Sequence, residues 1–399
     1  MAALAHLHQM RVQTISQNLA PSVRRLTLSN FRNYESLRLD LEPAHVALTG
    51  ANGSGKTNLL EALSFLAPGR GLHRARLSEV DRIEHGRTAA SAGAWGVSAT
   101  VDGALSSTTL GTGRDPSMAG SGGEKRIIRI DGAAVRSQSE LLDHIAVSWL
   151  TPQMGRLFVD GATQRRRFLD RLVHASDSGH AGRVNSYTHA LRQRSRLLRQ
   201  NRTDAAWHAA LEDQIAMTGV AVAAARRALL VRLAPIAEEG FGPFPGAFLA
   251  VEGQVEDWLD DRPAIDAEDV FRAELAATRK SSPGEVAAVP GPHRTDLRVA
   301  HAVKAMPARL CSTGEQKALL IAIVLAHARL SKLEVGAAPL LLLDEVAAHL
   351  DKERRIALYD LLDTLGCQAW LTGTDVALFE PLGARAQMFV VSNGAVTRH

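Results

Sequence analysis

The octapeptide G-A-N-G-S-G-K-T at 50–57 constrains the fold of this chain more than any other stretch. It follows a short apolar run, H-V-A-L-T at 45–49, that reads as a strand. It precedes a segment with helical spacing, in which Leu59, Leu60, Leu63 and Leu66 share a face. Strand, glycine loop and helix in that order are the context the pattern G-x-x-x-x-G-K-[ST] requires. The glycines let backbone N–H groups wrap phosphate, and the helix N-terminus favours negative charge. Gly50, Ala51, Asn52, Gly53, Ser54, Gly55, Lys56, Thr57 and Asn58 are therefore the expected ATP-binding residues. Lys56 would reach the β- and γ-phosphates, and the Thr57 hydroxyl would ligate Mg²⁺.

A second element completes such a site. L-L-L-L at 340–343 reads as a buried strand ending in Asp344 and Glu345. An Asp at the end of such a strand holds Mg²⁺, and the adjacent Glu can polarise the attacking water. Asp344 is thus the expected metal residue beside Thr57, and Glu345 with Lys56 the expected catalytic pair. Asp351, in A-H-L-D, stands where a second subunit's nucleotide would be sensed.

Two strings resemble the signature segment with which ATP-binding-cassette proteins cap a partner's nucleotide: S-G-G-E-K at 121–125 and S-T-G-E-Q-K at 312–317. The first leads from a Gly/Ser/Pro-rich loop at 111–123 into an alternating strand at 126–130 and a D-G turn, a hairpin pattern with no helix to present amides. The second precedes an apolar helix at 318–330 that must be buried. Ser312, Thr313, Gly314, Glu315 and Gln316 are therefore the expected trans signature, able to meet a γ-phosphate carried by another copy of the chain. About 255 residues separate Lys56 from Ser312. Transporter ATPases keep these motifs much closer, whereas SMC-like heads split them with a long insertion. The fold class expected is α/β: an ABC-type P-loop ATPase head, a mixed sheet with helices, carrying an inserted mostly helical second lobe. The expected organisation is a flexible leader at 1–21, a head formed by 22–155 and 288–399, and an inserted lobe at 156–287. Gln153, at the start of the lobe, is a further candidate for contact with Mg²⁺ or water.

Composition narrows the function classes. No apolar run approaches the ~18 residues of a membrane helix. The two cysteines, Cys311 and Cys367, make neither a disulfide framework nor a zinc pattern, so a cytoplasmic location is expected. Formal charge is only +4, but residues 164–202 hold ten arginines, two aspartates and no lysine. Such a stripe suits the DNA backbone more than base edges. Arg165, Arg166 and Arg167 head one helix. Arg192, Arg196 and Arg199 share a face of the next, and Arg194 does not. His293 and Arg294 lie in a Pro-bounded turn. A solvated or internally paired helix is the competing account of these arginines, and a structural corner that of the turn.

Several strings together resemble the RecF family of bacterial recombination-repair ATPases, over nearly the whole chain from about residue 25. They are L-S-N-F-R-N-Y at 28–34, the phosphate loop with its helix at 50–63, G-R-G-L-H-R-A-R at 69–76 and R-R-R-F-L-D at 165–170. Further on come Y-T-H-A-L-R-Q-R-S-R-L-L at 187–198, G-P-H-R-T-D-L at 291–297, C-S-T-G-E-Q-K at 311–317 and L-L-L-L-D-E-V-A-A-H-L-D at 340–351. The resemblance implies ATP and Mg²⁺ as cofactors and an ATP-dependent homodimer on double-stranded or gapped DNA. It also implies RecR as partner, with RecO and RecA in the pathway, and slow hydrolysis acting as a release timer. Two features depart from the pattern. T-G-T-D at 372–375 lacks the histidine many cassette ATPases place at the γ-phosphate, with Thr374 the candidate substitute. The 111–123 segment looks like an extra insertion. A non-hydrolysing ATP-gated scaffold and a transporter ATPase subunit are the alternatives.

Overall fold

A computed structural model describes residues 21–82, 94–103, 106–115, 124–200, 204–280 and 289–399. Residues 1–20 of the expected leader and the Ser121 to Gly123 part of the first signature-like string lie outside them.

The chain forms two compact units, Met1–Met154 with Ala328–His399, and Gly155–His327. The first begins with β1 (Ser22–Phe31) and β2 (Tyr34–Asp40), joined by a tight turn at Arg32 and Asn33. β3 (His45–Thr49) runs into the glycine loop, and α1 (Lys56–Ser64) follows. Next come β4 (Gly96–Asp102), β5 (Ser107–Arg114), β6 (Arg126–Ile130), β7 (Ala133–Ala134) and β8 (Val147–Leu150). Residues 111–114 of the expected loop are strand: Gly111 to Gly113 pair with β4, Arg114 pairs with Arg126 of β6, and a Cβ at Gly113 would lie 2.6 Å from the Trp95 carbonyl oxygen. Asp131 and Gly132 make the β6–β7 turn, both at positive φ, as a two-residue hairpin requires.

The middle unit holds α2 (Ala162–His174), α3 (His180–Arg199) and the 35-residue α4 (Ala205–Glu239). β9 (Ala247–Glu252), α5 (Gln254–Asp261), α6 (Ala264–Ala277), β10 (Asp296–His301) and β11 (Met306–Pro307) follow. β10 pairs antiparallel with β9 from end to end. Residues 289–327, expected to rejoin the head, therefore pack with the middle unit. α7 (Thr313–Val335) starts in this unit and continues into the other, with its apolar stretch buried as its composition demands.

The C-terminal part returns to the first unit with β12 (Leu340–Leu343), α8 (Lys352–Leu365), β13 (Ala369–Gly373), β14 (Ala386–Ser392) and β15 (Ala395–Arg398). Two six-stranded sheets result, in the orders β2-β1-β4-β5-β6-β7 and β15-β14-β3-β13-β12-β8. The second is parallel from β14 to β8. Strands buried on both faces read as continuous apolar runs, which is why L-L-L-L stands out. Leu59, Leu60 and Leu63 of α1 join a core with Phe31, Phe65 and Trp95, whose rings lie 4.8–6.1 Å apart. This core fixes the helix that carries the phosphate loop.

Candidate nucleotide site

Parallel strands present their C-terminal ends on one edge, and ligands of open α/β sheets bind outside that edge. β3 delivers the glycine loop there, β12 delivers Asp344 and Glu345, and β13 delivers Thr372. Gln153 leaves the end of β8, the strand beside β12, and is exposed.

The loop needs its glycines. A Cβ at Gly50 would lie 2.2 Å from the Val391 carbonyl oxygen, and one at Gly55 (φ 116°) would lie 2.5 Å from Asn33 Nδ2. The N-F-R-N-Y turn is thus a buttress. Asn33 Nδ2 donates to the Ser54 carbonyl (3.2 Å) and the Tyr34 hydroxyl to that of Gly55 (3.1 Å). Asn58 Nδ2 donates to Asn33 Oδ1 at 2.7 Å. Arg32 grips the fully buried Glu61 of α1 with two bonds, 2.7 and 2.8 Å. The residues of L-S-N-F-R-N-Y alone do not announce this role; the β1–β2 register that sets the turn beside the loop creates it.

Lys56 is buried and donates to the carbonyls of Gly50 (2.7 Å) and Ala51 (2.8 Å). Burial lowers its pKa, against the pull of Glu345 and Asp344. A phosphate would compete with those carbonyls for the ammonium. The Ser54 hydroxyl is buried without a protein partner, a polar atom available to such a ligand. Thr57 Oγ1 donates to Asp344 Oδ1 at 3.0 Å, and Thr372 Oγ1 donates to the same oxygen at 2.8 Å. Burial raises the Asp344 pKa, the two hydroxyls lower it, and the Glu345 charge raises it again. Two adjacent acids and a hydroxyl form a hard oxygen donor set under like-charge strain, which fits Mg²⁺.

The Ser312 segment starts α7 with a reciprocal cap. Ser312 N–H and Oγ each donate to Glu315 Oε2 at 2.9 Å, and the Glu315 amide faces Ser312 Oγ at 3.3 Å. Ser312, Thr313 and Gly314 are exposed, while Gln316 is buried and bonded to the Cys311 carbonyl at 2.9 Å. Bonds from Lys304 and from the Ser312 groups pull the Glu315 carboxyl down to about 2. In the rival string, Glu124 accepts from the Leu77 amide (2.9 Å) and the Ser78 amide (3.2 Å), then leads into β6. Asp351 caps α8, accepting from the Arg354 amide at 2.8 Å.

The expected DNA-facing residues divide. Arg192, Arg196 and Arg199 are exposed on α3, and Arg167 on α2. Arg194 is buried against Glu212 at 3.0 Å. Arg165 grips Asp296 with two bonds (2.7 and 3.0 Å), and Arg166 donates to the Thr295 carbonyl at 2.9 Å. His293 bonds the Tyr187 hydroxyl at 2.5 Å. Burial and the charges of Arg294, Arg166 and Arg226 push its pKa down to about 4. Arg226 binds Asp170 (2.9 and 3.0 Å) and the Pro292 carbonyl (2.6 Å), and His180 also holds Asp170 at 2.8 Å. R-R-R-F-L-D, the Tyr187 string and G-P-H-R-T-D therefore meet in one internal polar network. Arg294 is exposed and has a partner of its own.

The sequence matches the family described as RecF/RecN/SMC N terminal domain over residues 22–397. It is 49% identical to the DNA replication and repair protein RecF of Mesorhizobium japonicum, covering 94% of this chain and 97% of that protein. The chain belongs to the RecF family. A RecF of Agrobacterium fabrum is 48% identical, with 94% of this chain and 98% of that one covered. Among solved structures, the recombination mediator protein RecF-ATPrS superposes with a TM-score of 0.81 at 19% identity, covering 96% and 99% of the two chains. An SMC head bound to the C-winged helix domain of ScpA gives 0.53 at 15%, covering 94% and 97%. The RecF and SMC ATPase-head fold is thus the fold of this chain. Among the described residues, no helix is long and apolar enough to cross a membrane.

Proposed function

We propose that this chain is an ATP-driven switch of DNA replication and recombinational repair. The observation that carries the reading is the meeting of Lys56, Thr57, Asp344 and Glu345 at one sheet edge, in a chain of the RecF family. In this reading the loop amides and Lys56 bind the β- and γ-phosphates. Thr57 and Asp344 hold Mg²⁺, which when bound neutralises phosphate charge and orients the reacting oxygens. Glu345 takes a proton from the attacking water, and Asp351 senses the partner's nucleotide. The exposed Ser312 to Gly314 face binds the γ-phosphate held by a second copy, so ATP favours the closed dimer by differential affinity. Arg192, Arg196 and Arg199 then meet the backbone of duplex DNA near single-strand gaps, and slow hydrolysis releases it. RecR, with RecO, acts downstream to help load RecA, in the cytoplasm. Arg165, Arg166 and His293 serve this surface indirectly, by holding the fold beneath it.

The test is DNA binding by fluorescence anisotropy on plain duplex, gapped duplex and single strand, with ATP, ADP or neither, at two salt concentrations. ATP-dependent binding to duplex-containing DNA is expected, and its loss in Lys56→Met. Equal binding in all nucleotide states would refute the switch. A second measurement addresses the dimer. Ser312→Ala should bind ATP within about threefold of the parent yet stay monomeric with ATP by light scattering, while Ser121→Ala dimerises normally. The opposite pairing of outcomes would move the signature to residue 121.

A further inference from the structure

T-G-T-D at 372–375 is where the sequence lacks a histidine and offers Thr374. Thr374 is exposed beyond β13, whereas Thr372 is fully buried within it. The Thr372 hydroxyl lies 2.8 Å from Asp344 Oδ1 and 2.8 Å from the Glu345 amide nitrogen. Both bond directions follow from the groups. An ionised carboxylate only accepts and an amide N–H only donates, so the hydroxyl gives its single proton to Asp344 and receives Glu345. One side chain therefore ties the carboxylate of the first acid to the backbone of the second.

That backbone needs holding. Glu345 sits at φ 54°, in the left-handed region. A non-glycine residue there is strained and persists only where its surroundings over-determine it. The Thr372 bond fixes its amide from a strand that is itself clamped, with Leu371 opposite Leu343 and Thr372 opposite Leu48. The next position is closed to a larger residue. A Cβ at Gly373 would lie 2.9 Å from Phe379 Cε2 and 3.0 Å from Leu378 Cδ1. A histidine cannot enter at 373 without displacing that packing.

We infer that Thr372 is a positioning residue for hydrolysis, its hydroxyl setting the orientation of Glu345 relative to Asp344. The inference rests on the reading of Glu345 as the group that activates water. Because Thr372 acts through the two acids, its loss lowers turnover and leaves the phosphate loop's hold on nucleotide intact.

The experiment measures single-turnover ATP hydrolysis and nucleotide Kd on the full chain for Thr372→Val, Thr372→Ala and Thr372→Ser, beside Glu345→Gln. Val and Ala should slow hydrolysis by about 10–100-fold, as loss of a supporting partner does. Their Kd should change by less than about threefold, and Ser should keep a rate within about threefold of the parent. Val matches threonine in shape and Ser is smaller, so a packing role alone ranks Val above Ser, and the hydroxyl role ranks Ser above Val. If Val fails to fold, the Ser and Ala pair, which differ by one hydroxyl, decides. Ser as slow as Ala would overturn the proposal. So would Val at the parental rate beside a slow Glu345→Gln. Glu345→Gln at the parental rate would instead remove the underlying reading of Glu345, and the proposal with it.

Discussion

Glu345→Gln should hydrolyse ATP roughly 10²–10³-fold more slowly than the parent, the usual loss when a general base is removed. Nucleotide affinity should stay within about threefold, because Gln keeps the size of Glu and the loop amides and Lys56 are untouched. The reason lies in where Glu345 sits. It follows Asp344 at the end of β12, its amide is held by Thr372, and its charge is felt by Lys56. With binding kept and turnover lost, the ATP-bound dimer should accumulate on DNA and dissociate more slowly. Single-turnover hydrolysis and off-rates from labelled duplex check both halves. Parental turnover would assign the water to another group. Parental off-rates with slow turnover would uncouple release from hydrolysis and favour the scaffold alternative.

Arg226→Met should produce the largest stability loss, about 3–5 kcal/mol, as expected when one partner of a buried ion pair is removed. Arg226 is 3% exposed and forms the centre of the network in the middle unit. Burial alone would push the Asp170 pKa up; the His180 bond and the Arg226 charge hold it below its ordinary value. Met fills similar volume, yet it leaves Asp170 with His180 alone and the Pro292 carbonyl without its donor. Denaturant unfolding with a probe in the middle unit measures the effect. A change under about 1 kcal/mol would mean that His180 suffices to compensate Asp170.

The parts of the site that reside in contiguous sequence were legible before the structure. The glycine loop, Lys56, Thr57 and the acids after L-L-L-L are local patterns with a backbone reason for each residue. The apolar stretch of α7 and the D-G hairpin turn were legible on the same ground. Arg194 was set apart from Arg192, Arg196 and Arg199 by helical phase alone, and it is the buried one. What escaped depends on pairings between distant strands. Arg165 and Asp296 are 131 residues apart, and nothing in either string announces the other. The place of β10 beside β9 decided where residues 289–327 belong, and pairing partners carry no local signal. Thr372 looked like the lesser threonine of T-G-T-D because burial at a strand end is set by neighbouring strands, not by the tetrapeptide.

The polar network has a consequence for dissecting the molecule. A fragment ending near residue 287 has the appearance of a self-contained helical lobe. It would lack Asp296, the Thr295 and Pro292 carbonyls and the His293 ring, which receive Arg165, Arg166, Arg226 and Tyr187. Such a piece would expose a cluster of guanidinium groups stripped of their internal acceptors. Its affinity for DNA would then report an artefact of the cut: cations that the whole chain spends on its own interior would be turned outward to bind phosphate. A piece that keeps those cations occupied must run at least through Asp296, and the compact unit that holds them runs through His327.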